Sequence, residues 1–67
     1  MICEGHVATI IGGGGNDIIR GTQGTDVIHG LGGNDQISGL SGDDIICGGD
    51  GADFLTGGEG DDLISGQ

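Results

Sequence analysis

Positive charge is almost missing from this chain. Arg20 is its only Lys or Arg, against 11 Asp and Glu, and the formal net charge is −10. Nucleic acids and anionic membrane surfaces draw Lys and Arg clusters, so neither suits this chain as a partner. Proline, Trp and Tyr are absent and Phe54 is the one aromatic, so any core must come from aliphatic side chains. No apolar run is long enough to span a bilayer. The opening MICEGHVATI lacks the basic head and continuous apolar stretch of a signal peptide, so an export signal would lie elsewhere or take another form. At 67 residues the chain is one small domain at most, or a piece of a longer one.

What the chain does have is glycine, 19 residues of it. Such a composition points to disorder only when it has no period, and here there is one. From Gly12 the sequence divides into six consecutive nonapeptides: GGGGNDIIR, GTQGTDVIH, GLGGNDQIS, GLSGDDIIC, GGDGADFLT and GGEGDDLIS. Position one is always Gly (Gly12, Gly21, Gly30, Gly39, Gly48, Gly57), and so is position four (Gly15, Gly24, Gly33, Gly42, Gly51, Gly60). Position six is always Asp: Asp17, Asp26, Asp35, Asp44, Asp53 and Asp62. Position eight is always a large aliphatic: Ile19, Ile28, Ile37, Ile46, Leu55 and Ile64. A flexible acidic linker would have no reason to keep that aliphatic. One register earlier, CEGHVATII keeps only Ile10 and reads as a degenerate capping turn, of the sort repeat arrays need at their ends. The expected organisation is an N-terminal cap over 1–11, six repeats over 12–65 and a C-terminal end at 66–67.

One aliphatic in nine cannot make a helical stripe, and glycine would cost about 1 kcal/mol at each helical position. Each unit instead predicts a glycine turn over positions one to six and a three-residue strand over seven to nine. Strand alternation points position eight to one face and positions seven and nine to the other. Two units make a coil of 18 residues, and coils stack about 4.8 Å apart. Ile19, Ile37 and Leu55 then line one sheet, and Ile10, Ile28, Ile46 and Ile64 line the facing one.

These seven aliphatics are few against the entropy of ordering the whole chain. Stacking also brings Asp17, Asp35 and Asp53 into one column and Asp26, Asp44 and Asp62 into another. Carboxylates so close repel or protonate unless a cation joins them. Glycine at positive φ lets the turns aim carbonyl oxygens at a shared point. Carbonyls and carboxylates, with no thiol or imidazole at the repeating positions, make the oxygen cage that Ca²⁺ takes; Mg²⁺ demands stricter octahedral geometry and keeps its water.

The units resemble the repeat G-G-x-G-x-D-x-U-x of the RTX (repeats-in-toxin) calcium-binding family, found in secreted bacterial hemolysin-type proteins. The match covers 12–65, with mild departures at position two: Thr22, Leu31 and Leu40. The resemblance implies an all-β parallel β-roll, a right-handed β-helix-like solenoid of about three 18-residue coils plus the N-terminal capping turn. It also implies Ca²⁺ between the turns of adjacent coils, held by the six position-six Asp side chains and by backbone carbonyls of turns that include the position-one and position-four glycines. Four sites result: Asp17 with Asp35, Asp35 with Asp53, Asp26 with Asp44, and Asp44 with Asp62. Four divalent ions would leave a net charge near −2. Free calcium is abundant outside cells and scarce inside, so the expected place of folding is extracellular.

Other features carry less. The GGGG run has no following Lys-Ser/Thr and no GxGxxG context for phosphate, and a nine-residue period does not supply EF-hand ligands. His6 and His29 read as surface residues; no nucleophile is placed beside a base and no cleft is expected, so the chain is not read as an enzyme. Glu4, Asp43, Asp50, Glu59 and Asp61 fall at turn tips, where they attract cations at long range. Cys47 should neighbour His29 one rung away and Ile11 two rungs away, which brings Cys3 within reach of a disulfide suited to an oxidising compartment. The early Cys, ATI-I-G and ICGG together also look like a subgroup of secreted bacterial repeat proteins. Two free thiols, an intermolecular bridge and a Cys47–His29 metal site are the other readings. Position seven (Ile18, Val27, Ile45, Phe54, Leu63) should point outward, with Val27, Ile45 and Leu63 forming one exposed column. That column is either plain β-propensity or a patch for another domain or a second copy. The main reading is a calcium-switched structural module. The alternative is an adhesive or interaction module in which calcium only sets the scaffold, and Ile45→Lys separates the two by sparing calcium-induced folding while abolishing self-association.

Overall fold

The computed structural model describes residues 2–66; Met1 of the expected cap and Gln67 of the expected C-terminal end lie outside the described residues. Nine short strands are connected by turns. They are β1 (Ile2–Cys3), β2 (His6–Val7), β3 (Ile10–Ile11), β4 (Ile18–Arg20), β5 (Val27–His29), β6 (Gln36–Ser38), β7 (Ile45–Cys47), β8 (Phe54–Thr56) and β9 (Leu63–Ser65). From β4 onward every strand occupies positions seven to nine of its repeat. The glycines before it cannot hold a strand, and the β-branched residues favour one.

Successive strands alternate between two parallel sheets, one of order β3-β5-β7-β9 and one of order β4-β6-β8. The register is that of the repeat: Ile10 pairs with Ile28, Ile28 with Ile46 and Ile46 with Ile64, while Ile19 pairs with Ile37 and Ile37 with Leu55. This is an all-β parallel solenoid of about three coils. Between coils, the position-one N–H groups of Gly12 to Gly48 bond to the position-nine carbonyls 17 residues ahead, as from Gly30 to Cys47 at 2.8 Å. Position-seven N–H groups bond to aspartate carbonyls 19 residues back, as from Phe54 to Asp35 at 2.8 Å.

The core is the position-eight aliphatics. Ile28, Ile37 and Ile46 are fully buried, with Ile10, Ile19 and Leu55 partly buried against them. Ile64 was expected inside as well but is 43% exposed. The four-stranded sheet reaches one strand further than the three-stranded one, so nothing faces Ile64 across the coil.

The degenerate N-terminal unit forms β3, and the residues before it make an antiparallel hairpin instead of a coil turn: Ile2 pairs with Val7 and Cys3 with His6. Glu4 and Gly5 both have positive φ, 53° and 85°, the mirror-image two-residue turn that suits strand twist. β1 packs across β5 and β7 on the outside of the larger sheet.

Candidate metal centre

The position-six aspartates stand in the two expected columns, joined by their own hydrogen bonds. The N–H of Asp17 donates to Oδ1 of Asp35 and that of Asp35 to Oδ1 of Asp53, both at 2.9 Å. In the other column Asp26 donates to Asp44 at 2.8 Å and Asp44 to Asp62 at 2.9 Å. Position-one glycine makes room for each carboxylate. A Cβ on Gly30 would lie 2.7 Å from Oδ2 of Asp35 and 2.8 Å from the carbonyl oxygen of Gly48. Position four is needed for a different reason: Gly42 has φ of 95°, and a Cβ there would sit 2.5 Å from the carbonyl oxygen of Gly24 in the coil below.

Half of the column carboxylates are buried, and Asp17, Asp53 and Asp62 are half-buried. Asp26, Asp35 and Asp44 are 4%, 1% and 1% exposed. One oxygen of each inner carboxylate is engaged with the N–H one coil back, but Oδ2 of Asp35, Asp44 and Asp53 is buried with no hydrogen-bond partner. A buried, unpartnered anionic oxygen is costly. Burial pushes the Asp44 carboxyl above its ordinary value, the charges of Asp26 and Asp62 push it the same way, and the Asp26 N–H pulls against them.

Turns at the start of the array differ from those that follow. Oδ2 of Asp17 accepts the N–H of Gly13 at 2.8 Å, and Oδ2 of Asp26 accepts the N–H of Thr22 at 2.7 Å with the Thr22 hydroxyl beside it. In the next four turns position two is left-handed instead, at Leu31 (φ 64°), Leu40 (65°), Gly49 (79°) and Gly58 (79°). That conformation costs a non-glycine residue roughly 1–3 kcal/mol. The two leucines, mild departures in sequence terms, therefore sit where the backbone favours the pattern's glycine.

These groups fit a hard divalent cation. Every donor at the columns is oxygen, and the orphaned Oδ2 atoms supply negative charge that no residue neutralises. No three His, Cys, Asp or Glu side chains gather as a metal-holding group among the described residues. With two stacked carboxylates per gap, a bound cation would draw its remaining ligands from backbone carbonyls of the glycine turns.

The comparisons with known proteins agree with this geometry. The model of the RTX calcium-binding nonapeptide repeat matches residues 11–46, 20–55 and 38–67. The chain belongs to that RTX family. Searches of the curated proteins and of the solved structures gave no match. The RTX repeat is a structural, non-catalytic module, and calcium binding between its turns is the family's property.

Around the RTX columns the remaining candidates fall into place. Cys3 and Cys47 form a disulfide with Cα atoms 5.8 Å apart, and no described cysteine is free. His29 accepts the Leu31 N–H on Nδ1 at 3.1 Å, so that nitrogen is engaged by the turn. Glu4, Asp43, Asp50, Glu59 and Asp61 are exposed. The outward column on the larger sheet is less open than the sequence suggested: Val27 and Ile45 are half-buried and only Leu63 is exposed, because β1 lies against β5 and β7. The more exposed pair is Ile18 (79%) and Phe54 (67%) on the smaller sheet.

Sequence reasoning missed position five. Oδ1 of Asn16 accepts the N–H of Asn34, Oδ1 of Asn34 that of Ala52, and Oδ1 of Asp43 that of Asp61, at 2.8–2.9 Å. These side chains splice one turn to the next beside the aspartates. The signal was the Asn/Asp bias at that position, weakened by Thr25 and Ala52.

Proposed function

We propose that this chain is a calcium-switched β-roll that is disordered without the ion and folds when calcium joins its coils, serving as a secreted structural module. The observation that supports this most is the set of buried, unpartnered Oδ2 atoms of Asp35, Asp44 and Asp53 in stacked columns. Residues 12–65 are the binding array and 1–11 its cap. The carboxylates of Asp17, Asp35 and Asp53 hold two ions on one side, those of Asp26, Asp44 and Asp62 hold two on the other, and turn carbonyls complete each set. Bound there, calcium supplies the positive charge that lets the carboxylates stay ionised while buried. Ordering the chain then becomes favourable through mass action. The Cys3–Cys47 bridge supports an oxidising, extracellular setting.

The test is a far-UV circular dichroism titration with calcium, starting in chelator. The expected outcome is a cooperative change from disordered to strand signal, reversed by chelator and weak with magnesium. A full strand signal already present in chelator would overturn the switch.

A further inference from the structure

Two of the six repeats break a pattern that the other four share, and both belong to the first coil. From Gly30 onward position two is left-handed, at Leu31, Leu40, Gly49 and Gly58, and so is position four, at Gly33, Gly42, Gly51 and Gly60. Neither position has positive φ in the turns that lead to Asp17 and Asp26. There the position-two N–H donates to the carboxylate instead, from Gly13 to Asp17 and from Thr22 to Asp26.

At Asp26 the engagement goes further. The Thr22 hydroxyl accepts the Gly24 N–H at 3.2 Å, which leaves its own proton for the carboxylate, 3.1 Å from Oδ1 and 3.3 Å from Oδ2. Both oxygens of Asp26 are thus covered by donors. Asp26 is buried like Asp35 and Asp44, yet each of those leaves an orphaned oxygen and Asp26 leaves none.

Hydrogen bonds to an ionised carboxylate are about twice as strong as neutral ones, and a cation has to displace them or share the oxygens. The residue at position two decides whether the turn can give way. Gly13 can enter the left-handed region of the later turns without a steric penalty. Thr22 is β-branched, and such a residue at positive φ is an outlier. One side chain therefore holds the turn before Asp26 in its donor-capped form.

We propose that Thr22 makes the position between Asp26 and Asp44 the weakest of the four proposed calcium sites and the last to fill. This rests on the reading that calcium joins the columns, and it adds an order to that reading. The Thr22 donors offset part of the Asp26 charge without the ion. The matching gap of the other column, Asp17 with Asp35, has glycine at the same place and is not delayed in this way.

The test takes the full chain from chelator into rising calcium and counts bound ions by native mass spectrometry. Circular dichroism follows folding in the same samples, and NMR follows the Thr22 amide proton. A three-ion compact form should precede the four-ion form. Within the folded chain the Thr22 amide signal should change only with the last ion. Thr22 is exposed, so Thr22→Gly removes no core packing; it should lower the free calcium needed for the fourth ion about tenfold. Leu40→Gly is the control, because that turn is already left-handed. It should favour folding as a whole and leave the three-ion form in place. Uptake of all four ions in one step by the unaltered chain, or early movement of the Thr22 amide, would overturn the proposal while calcium-induced folding stands. So would a fourth-ion step that Thr22→Gly leaves unmoved, or one that Leu40→Gly moves equally. A chain that binds no calcium would overturn this proposal and the calcium reading together.

Discussion

Asp44 is the residue on which the two readings of an aspartate, ligand or surface charge, can be separated. It is buried, stacked between Asp26 and Asp62, and holds an unpartnered oxygen. Its neighbour Asp43 is exposed and uses only Oδ1, to accept the Asp61 N–H. Asp44→Asn should raise the calcium concentration for half-maximal folding at least tenfold, because one carboxylate is lost from two of the proposed sites. Asp43→Asn keeps the acceptor and should leave the midpoint nearly unchanged; a titration of each variant checks the pair. The raised Asp44 value also sets a pH dependence. A carboxyl that takes a proton more readily folded than unfolded gains stability as pH falls through its folded value, down to the ordinary 3.8. In chelator, strand signal should therefore rise on mild acidification within that window. In calcium the sign reverses, since protons compete with the ion for the same oxygens, and acidification should release calcium.

At the scale of elements, coil and cap depend on different contacts. Each strand of the coils is tied to the one 18 residues away by backbone bonds and by the aspartate ladder. The β1–β2 hairpin shares none of that periodicity and is held to β7 by the Cys3–Cys47 bridge, a closure of 44 residues. By loop-closure entropy, such a bridge stabilises by about 4 kcal/mol. Reduction, or the double variant Cys3→Ser and Cys47→Ser, should lower the thermal midpoint and shift the calcium titration to higher concentration. The strand signal at saturating calcium should persist, because β4 to β9 do not need the hairpin for their ladders. Loss of all strand signal on reduction would mean that the cap nucleates the coils.

For the molecule as a whole, the proposed calcium switch predicts conditional compaction, because a small core works against a large acidic charge. The Cα radius of gyration is 10.1 Å, while an unfolded chain of this length averages about 25 Å. Small-angle scattering should show that contraction on adding calcium. Native mass spectrometry of the compact form should find four bound ions, bringing the charge of −10 to about −2. A compact form with two ions would restrict binding to one column or one inter-coil gap.

The nonapeptide period by itself determined the solenoid, its two sheets, their register and the identity of the inward aliphatics other than Ile64. It could do so because each coil touches only its neighbours, so one short pattern repeated carries the information for every contact of the array. The aspartate columns were legible for the same reason. The same pattern could not place what lies outside the period or depends on fine backbone geometry. Cys3 meets Cys47 because a hairpin folds back across β5 and β7, a non-local contact that two isolated cysteines do not specify. That hairpin also half-covers Val27 and Ile45, leaving Ile18 and Phe54 as the open apolar pair. The left-handed backbone at Leu31 and Leu40, and the position-five side chains bonded turn to turn, were likewise decided by tertiary structure. Both arise from how closely one coil rests on the next, a distance that no single repeat contains.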